Sequence, residues 1–378
     1  MNTQQASSPM PQAGMIDMTR TMPPQIEGFE TYIQDGMSYV VGRDDLSQLV
    51  QRHRFFGTDS ERAVSAEWLS TRLGFRPEAD RVFMTGGTQN SLQILLARLG
   101  GTAGCVATET LSYAGTTQIC GLLGLKLVGI PIDEYGIIPE AFADVCERDR
   151  PRVLYCNPTI HNPTTSVLPE ARRSAIAEMA RKYGVSIIED DVHGMIALDV
   201  PAPIASIAPD ITWYIMSVSK CIGMGLRTAF LVAPSSTALA ELRGPVQSIS
   251  AWFIPAISSA LITHLIETGS ADEIAMKIRD EVEVRQQIAT EALHGQVFHT
   301  HKNALHLWLG LPDHWTPTKL AEAVRPFKVQ IRPSDLFNAG GMTMPNKIRL
   351  SLVAPQTRQD LTNAMVALVK NLRNGPVR

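Results

Sequence analysis

From about residue 80 the chain alternates short apolar runs with stretches of helical pattern, and that spacing leaves few folds open. The runs are "RVFMTGG", "GCVATE", "KLVGIPID", "RVLYCNP", "VSIIEDD", "WYIMSVS" and "TAFLVAP". Antiparallel strands can be joined by a two-residue turn, whereas parallel strands need a crossover, usually a helix. Strands this far apart with helices between them predict βαβ units and a largely parallel sheet. One unit, "PEARRSAIAEMARKYGVSIIEDD", can be read residue by residue. Pro169 opens a helix, where its missing N–H costs nothing. Ile176, Met179, Ala180 and Tyr183 follow at i, i+3, i+4 and i+7, one buried stripe. Gly184 suits a left-handed cap, and Val185 to Ile188 form the continuous apolar strand that a doubly covered sheet requires. Glu189, Asp190 and Asp191 then fall at the carboxyl end of a parallel strand, where α/β proteins bind ligands.

The 378 residues allow a large domain and a smaller one, with 44% hydrophobic and 19% charged residues. A net charge of −3 gives no reason to expect nucleic acid or membrane as partner. Five cysteines without a CxxC argue against a disulfide framework, and with no signal peptide recognised the expected location is a reducing cytoplasm. "MNTQQASSPMPQAG" reads as a mobile arm, and "AWFIPAISSALITHLI" (251–266), broken by Pro255 and His264, as buried helix. A long charged helix over about 272–293 leads to two alternating strands, "ALHLWLGLP" and "NKIRLSLV". They predict a smaller α+β domain with its boundary near residue 275.

Several stretches carry candidate chemistry. In "TGGTQNSLQILLARLG" (85–100), glycines and small polar residues precede a helix whose Leu92, Leu95, Leu96 and Leu99 share a face. Its first N–H groups could hold a phosphate, or the segment is an ordinary glycine turn. It is no nucleotide P-loop, because no lysine follows the glycines. Without that loop, "IIEDD" loses its appeal as a magnesium pair. It remains either solvated acid or one buried carboxylate facing a cationic ligand atom. "HTH" (299–301) and His306 have no acidic or cysteine ligand close by, so no metal is expected. "SVSK" matches the S-x-x-K of penicillin-binding proteins, with Ser217 as nucleophile. Those enzymes need K-T-G, which is absent, and their motif opens a helix rather than following a strand.

Five motifs in order, "TGGTQNSL", "ETLSYAG", "NPTIHNPTT", "IIEDDVHG" and "SVSKCIGMGLR", resemble the class I/II aminotransferases of the fold-type I pyridoxal 5'-phosphate (PLP) family. The resemblance covers nearly everything after the arm. "NALHLWLGLP" is also similar to the aminotransferase-like half of MocR regulators, with no DNA-binding segment expected ahead of it here. The resemblance implies an α/β fold: a large PLP-binding domain (38–275) with a mostly parallel seven-stranded sheet and a smaller α+β domain (276–378). Residues 1–37 would be an arm and a segment beside the substrate. It also implies a homodimer with shared active sites, acting on an amino acid and a 2-oxo acid.

By the same resemblance, Lys220 forms the internal aldimine with PLP and moves the proton between substrate Cα and cofactor C4′. Asp190 pairs with the pyridine nitrogen, being three residues before the ring-contact position His193. Gly87, Thr88, Gln89, Ser217 and Arg227, with Ser219, cradle the phosphate. Tyr113 stacks on the pyridine face, Asn162 donates to the phenolic oxygen, and Arg349 holds the substrate α-carboxylate.

Three positions depart from the family. His193 stands where tyrosine is usual and is expected to titrate near neutrality. Thr165 replaces the glycine of N-P-T-G, which puts the turn's backbone in question. Arg52 stands where a tyrosine usually reaches the neighbouring subunit's phosphate, and would replace it or bind a substrate acid. Arg20 falls in the segment near the substrate carboxylate, and with Arg52 and Arg54 it hints at an acidic group. These departures keep open a specialised PLP enzyme for elimination, cyclisation or oxidation, and a catalytically idle ligand sensor.

Overall fold

The computed structural model describes residues 14–52, 54–248, 254–341 and 343–375. Apart from Gly14, the expected arm lies outside the described residues, as do the first three residues of the 251–266 stretch. From Ala256 the stretch is helical, Ala256–Glu267, with Ser259 to Thr263 and Leu265 buried.

Seven strands build the central sheet: β1 (Val82–Thr85), β2 (Cys105–Glu109), β3 (Lys126–Ile130), β4 (Val153–Cys156), β5 (Ser186–Asp190), β6 (Thr212–Ser217) and β7 (Ala229–Val232). Their order is β1-β7-β6-β5-β4-β2-β3. Every pair is parallel except those of β7, which runs antiparallel to β1 and β6. β1, β4, β6 and β7 are buried at every residue, as a sheet covered on both faces demands.

The unit read from sequence becomes α2 (Glu170–Tyr183) and β5, after α1 (Thr88–Leu99) follows β1. Pro169 is the N-cap of α2, and Gly184 closes it at φ 66° in the left-handed region. Ile176 and Ala180 are fully buried, while Met179 and Tyr183 pack against the same core from its edge. Arg173, which hydrophobic periodicity overlooks, is also fully buried. Its guanidinium donates to the Leu168, Pro158 and Ala202 carbonyls. β5 starts one residue later than the apolar run and extends through Asp190, so the acid is the last strand residue.

The charged helix, α3 (Ser270–Ala292), runs unbroken through residue 275. Ala271, Ile274, Ala275, Ile278 and Val282 pack into the core beside the large sheet, and Ala289 packs into a separate core. That second core lies under a three-stranded antiparallel sheet of Phe298–His299, His306–Gly310 and Lys347–Ser351, together with the helix Arg358–Asn374. Ile16–Asp17 pairs in parallel with Val329–Gln330, and Met18 is buried in the same core.

Candidate active site

The motif residues collect at one edge of the large sheet because five strands end, or in the case of β7 begin, there. Gly87 follows β1, Asn157 follows β4, Asp190 ends β5, Lys220 follows β6 and Arg227 precedes β7. Gly87 has φ 103° and ψ 169°, and a Cβ there would lie 3.1 Å from Arg227 Nη2. The guanidinium of Arg227 therefore rests against the bare backbone at the start of α1. Thr88 Oγ1, one residue on, is buried without a hydrogen-bond partner. A corner with a guanidinium, a free hydroxyl and helix N-terminal N–H groups suits a phosphate.

Ser217 is placed differently from a free phosphate ligand. Its hydroxyl donates to the Thr228 carbonyl at 3.1 Å and accepts from Ser219 N–H at 3.2 Å, which fixes the turn into Lys220. Gln89 Nε2 donates to the Tyr113 hydroxyl at 2.7 Å, and Tyr113 caps the helix Ala114–Leu122. Burial, with Asp190 nearby, pushes that phenol's pKa up.

Asp190 and Asp191 differ in the partners of Oδ2, while the Oδ1 of each is buried without one. Asp191 is bound by Arg72 Nε at 2.9 Å and the Tyr214 hydroxyl at 3.0 Å, so it serves the interior. Asp190 accepts from the Tyr155 hydroxyl at 2.9 Å through Oδ2, while its buried Oδ1 has no partner. Burial raises its carboxyl to about 7. A buried carboxylate with one open oxygen suits a ring N–H⁺.

Lys220 Nζ donates to the Thr21 carbonyl, and the Thr21 hydroxyl lies 3.4 Å away. Loss of water around the ammonium lowers its pKa to about 8, with Arg349 adding to the fall and Asp190 opposing it. Arg349 donates through Nη1 to Asn162 Oδ1 at 2.8 Å and through Nη2 to the Thr19 carbonyl at 2.5 Å. The Phe337 ring lies 4.9 Å from its guanidinium carbon.

His193 is buried with neither ring nitrogen well bonded, only a weak approach of the Thr159 backbone. Burial lowers its pKa to about 3, helped by Lys220 and Arg349. The expectation that it titrates near neutrality is therefore corrected: the imidazole stays neutral across the physiological range. Thr165 also resolves. It takes φ 64°, the left-handed shape a glycine would adopt, and its N–H bonds the His161 carbonyl at 2.7 Å.

Three other arginines differ in what holds them. Arg20 pairs with Asp17 at 3.1 Å. Arg52 is exposed after the helix Leu46–Gln51, and its side chain makes no hydrogen bond or ion pair among the described residues. Arg54 is held by Glu61 at 2.5 Å. Sequence reasoning missed Tyr155, Asn157 and Thr21. Asn157 opens the quoted "NPTIHNPTT", and its amide donates to the Asp190 carbonyl at 2.5 Å. Tyr155 lies two strand residues before it, on the β4 ladder beside β5. No group of three or more metal-ligating side chains occurs among the described residues, and no described helix is long and apolar enough to cross a membrane.

Fold and site together define a doubly covered α/β protein built to hold a phosphorylated aromatic cation beside a lysine amine. The family model for aminotransferase class I and II matches residues 48–368, and the chain belongs to that family. Its cofactor, PLP, fits the donors and open acceptors just described. Among relatives, the chain is 29% identical over 304 residues to a 2-aminoadipate transaminase of Thermus thermophilus, covering 77% of this chain and 73% of that one. It is 25% identical over 306 residues to an uncharacterized HTH-type transcriptional regulator, YdeF, of Bacillus subtilis, covering 79% of this chain. The chain spans 64% of that regulator's length and 60% of the similar YjiR of Escherichia coli. In fold it is similar to the α-aminoadipate aminotransferase LysN of Thermus thermophilus, solved with N-(5'-phosphopyridoxyl)-L-leucine. That likeness has a TM-score of 0.84 at 23% identity, covering 96% and 93% of the two chains. A kynurenine aminotransferase of Pyrococcus horikoshii gives a TM-score of 0.85 at 18% identity, covering 96% and 91%.

Proposed function

We propose that this protein is a PLP-dependent aminotransferase, transferring an amino group between an α-amino acid and a 2-oxo acid. The observation that carries the reading is the convergence of Lys220, Asp190 and Arg349 with the Gly87–Arg227 corner on one crevice. Asp190 Oδ1 and Thr88 Oγ1 are left unbonded there. When bound, PLP supplies an electron sink for the pair left at the substrate Cα.

Each protein group then has a task that its surroundings support. Lys220, with its ammonium near pKa 8, can hold or release a proton close to neutral pH and so carry it between Cα and cofactor C4′. Asp190, steered by Tyr155, would face the pyridine nitrogen with its open oxygen. Arg227, Thr88 and the backbone of Gly87 would take the phosphate, with Gln89, Ser217 and Ser219 shaping that corner. Tyr113 would lie against the ring, and Asn162 and neutral His193 would face the phenolic oxygen. Arg349 would turn its fork to the substrate α-carboxylate and so orient the Cα bond to be broken.

The reading includes a homodimer in the cytoplasm, serving amino-acid biosynthesis, with a small domain beginning inside α3. Exposed and unpaired Arg52 supports the dimer, because it is free to complete a neighbouring subunit's phosphate site. Val41 and Val50, each 62% exposed and close to Arg52 in sequence, add apolar surface.

Reconstituted protein given an amino donor alone should convert its cofactor to the pyridoxamine form, followed by absorbance. Lys220→Ala should lose the borohydride-fixed adduct. PLP that persists while an eliminated, cyclised or oxidised product accumulates would replace transamination with that chemistry. The likeness to HTH-type regulators favours a second reading, a ligand sensor. It requires cofactor binding without turnover of any donor.

A further inference from the structure

Three backbone segments of the small-domain side turn alternate residues toward the crevice. In Lys347–Ser351, Ile348 and Leu350 are core residues and Arg349 faces away from them. In the strand pairing of Ile16–Asp17 with Val329–Gln330, Ile16, Met18, Val329 and Ile331 contribute to that same core. The period of two then sends Asp17, Thr19 and Arg332 to the opposite face, with Arg349. The Arg349–Thr19 hydrogen bond ties these segments together at the site.

The polar groups on this face are unequally satisfied. Arg349 has Asn162 Oδ1 and the Thr19 carbonyl. Arg20 has Asp17 Oδ2, and the other oxygen of Asp17 accepts from the Thr19 N–H and hydroxyl, each at 2.7 Å. Arg332 makes no hydrogen bond or ion pair among the described residues, and its Nη2 is buried without an acceptor. One carboxylate thus stands among three guanidiniums, and a buried N–H of a charged fork is left open. Such a group destabilises the empty fold unless a ligand anion completes it.

We propose that Arg332 binds a second anionic group at the end of the substrate side chain, making the enzyme selective for amino acids that carry a terminal acid. Arg349 keeps the α-carboxylate, so the two arginines hold the two ends of a dianionic substrate. Arg20, neutralised by Asp17, lies close to Arg332 without supplying the free charge. Burial and the neighbouring Arg332 pull Arg349 down to about 10, a repulsion that an anion between them relieves. The inference rests on the aminotransferase reading above.

The test compares wild-type holoenzyme with Arg332→Gln and Arg332→Lys on two donor groups. L-glutamate, L-2-aminoadipate and O-phospho-L-serine carry a terminal carboxylate or phosphate, and L-alanine and L-norleucine carry none. Arg332→Gln is expected to lower kcat/KM for an acidic donor about 100-fold, mainly through KM, since removing one partner of a paired charge is costly. The apolar donors should stay within about twofold, and Arg332→Lys should recover part of the loss. Loss confined to the carboxylate donors or to the phosphate donor supports the proposal and says which acid is read. Equal losses on both donor groups, no loss, or a wild type that prefers apolar donors overturns it. A binding arm is independent of turnover: calorimetry of succinate against propionate, with Arg332→Gln expected to weaken succinate alone. If no donor is turned over, the aminotransferase reading fails, and the succinate arm still decides the role of Arg332.

Discussion

In the proposed function Lys220 would meet the cofactor's aldehyde only as the free amine, so the groups around it would set the pH at which the site loads. With its pKa lowered to about 8 by burial and then by Arg349, it is mostly protonated below that pH. The rate of PLP capture by the apoprotein should rise about tenfold per pH unit and level off above about 8, measured by stopped-flow absorbance. Arg349→Met removes a repelling cation, so the break should move upward and capture at pH 7 should slow. An unmoved break would contradict the electrostatic coupling. The same shift links to stability. The folded pKa lies below the ordinary lysine value of 10.5, so the unfolded chain binds the extra proton between about 8 and 10.5. Stability gains from this group as pH rises through that window, and the deficit is constant below it. His193 adds no titration there, because its pKa near 3 keeps it neutral. In the proposed function it would therefore offer one N–H to the phenolic oxygen at any pH in that range.

Within the elements, the turn after β4 holds a conflict between residue and conformation. Thr165 has φ 64°, a region that a β-branched side chain enters at a cost of roughly 1–2 kcal/mol. Its hydroxyl bonds the Thr164 carbonyl at 2.6 Å, which offsets part of this. Thr165→Gly should relieve the strain and stabilise the fold by about 1 kcal/mol, net of glycine's greater chain entropy. A raised midpoint in thermal or urea unfolding is the expected reading, and a lowered one would mean that the hydroxyl contributes more than the strain costs. Legibility in the sequence varied with the element for similar reasons. The helix α2 and strand β5 could be read because periodicity, cap and burial agreed along one short stretch. The direction of β7 could not, since a four-residue apolar run looks alike whichever way it pairs. The length of β5 was underestimated because Glu189 and Asp190 are polar yet buried at the strand's end.

At the scale of the whole molecule, the crevice is assembled from three parts of the chain, which explains what linear motifs could and could not give. Gly87, Asp190, Lys220 and Arg227 are adjacent to strand ends within single motifs, so their neighbourhood followed from the sheet. The contact between Lys220 and Thr21 joins residues 199 apart, and that between Arg349 and Thr19 joins residues 330 apart. No local pattern encodes such pairs, and Arg332 acquires meaning only beside them. The segment from Ile16 to Thr21 thus fastens onto the three-stranded sheet and reaches Lys220 beside the seven-stranded one. Ser351 N–H donates to the Met18 carbonyl at 2.9 Å, and Asp17 is the acid that this segment brings to three arginines. Asp17→Asn would leave those guanidiniums without a counter-charge and weaken the bonds to Thr19 and Arg20. The expected loss is about 1–3 kcal/mol of unfolding free energy at low ionic strength. Added salt screens the remaining repulsion, so the gap to wild type should narrow as ionic strength rises toward 0.5 M, roughly a 4 Å screening length. Succinate should narrow it further in Asp17→Asn than in Asp17→Asn combined with Arg332→Gln. Unfolding midpoints that coincide with wild type at every salt concentration would mean that the charge excess places no load on the fold.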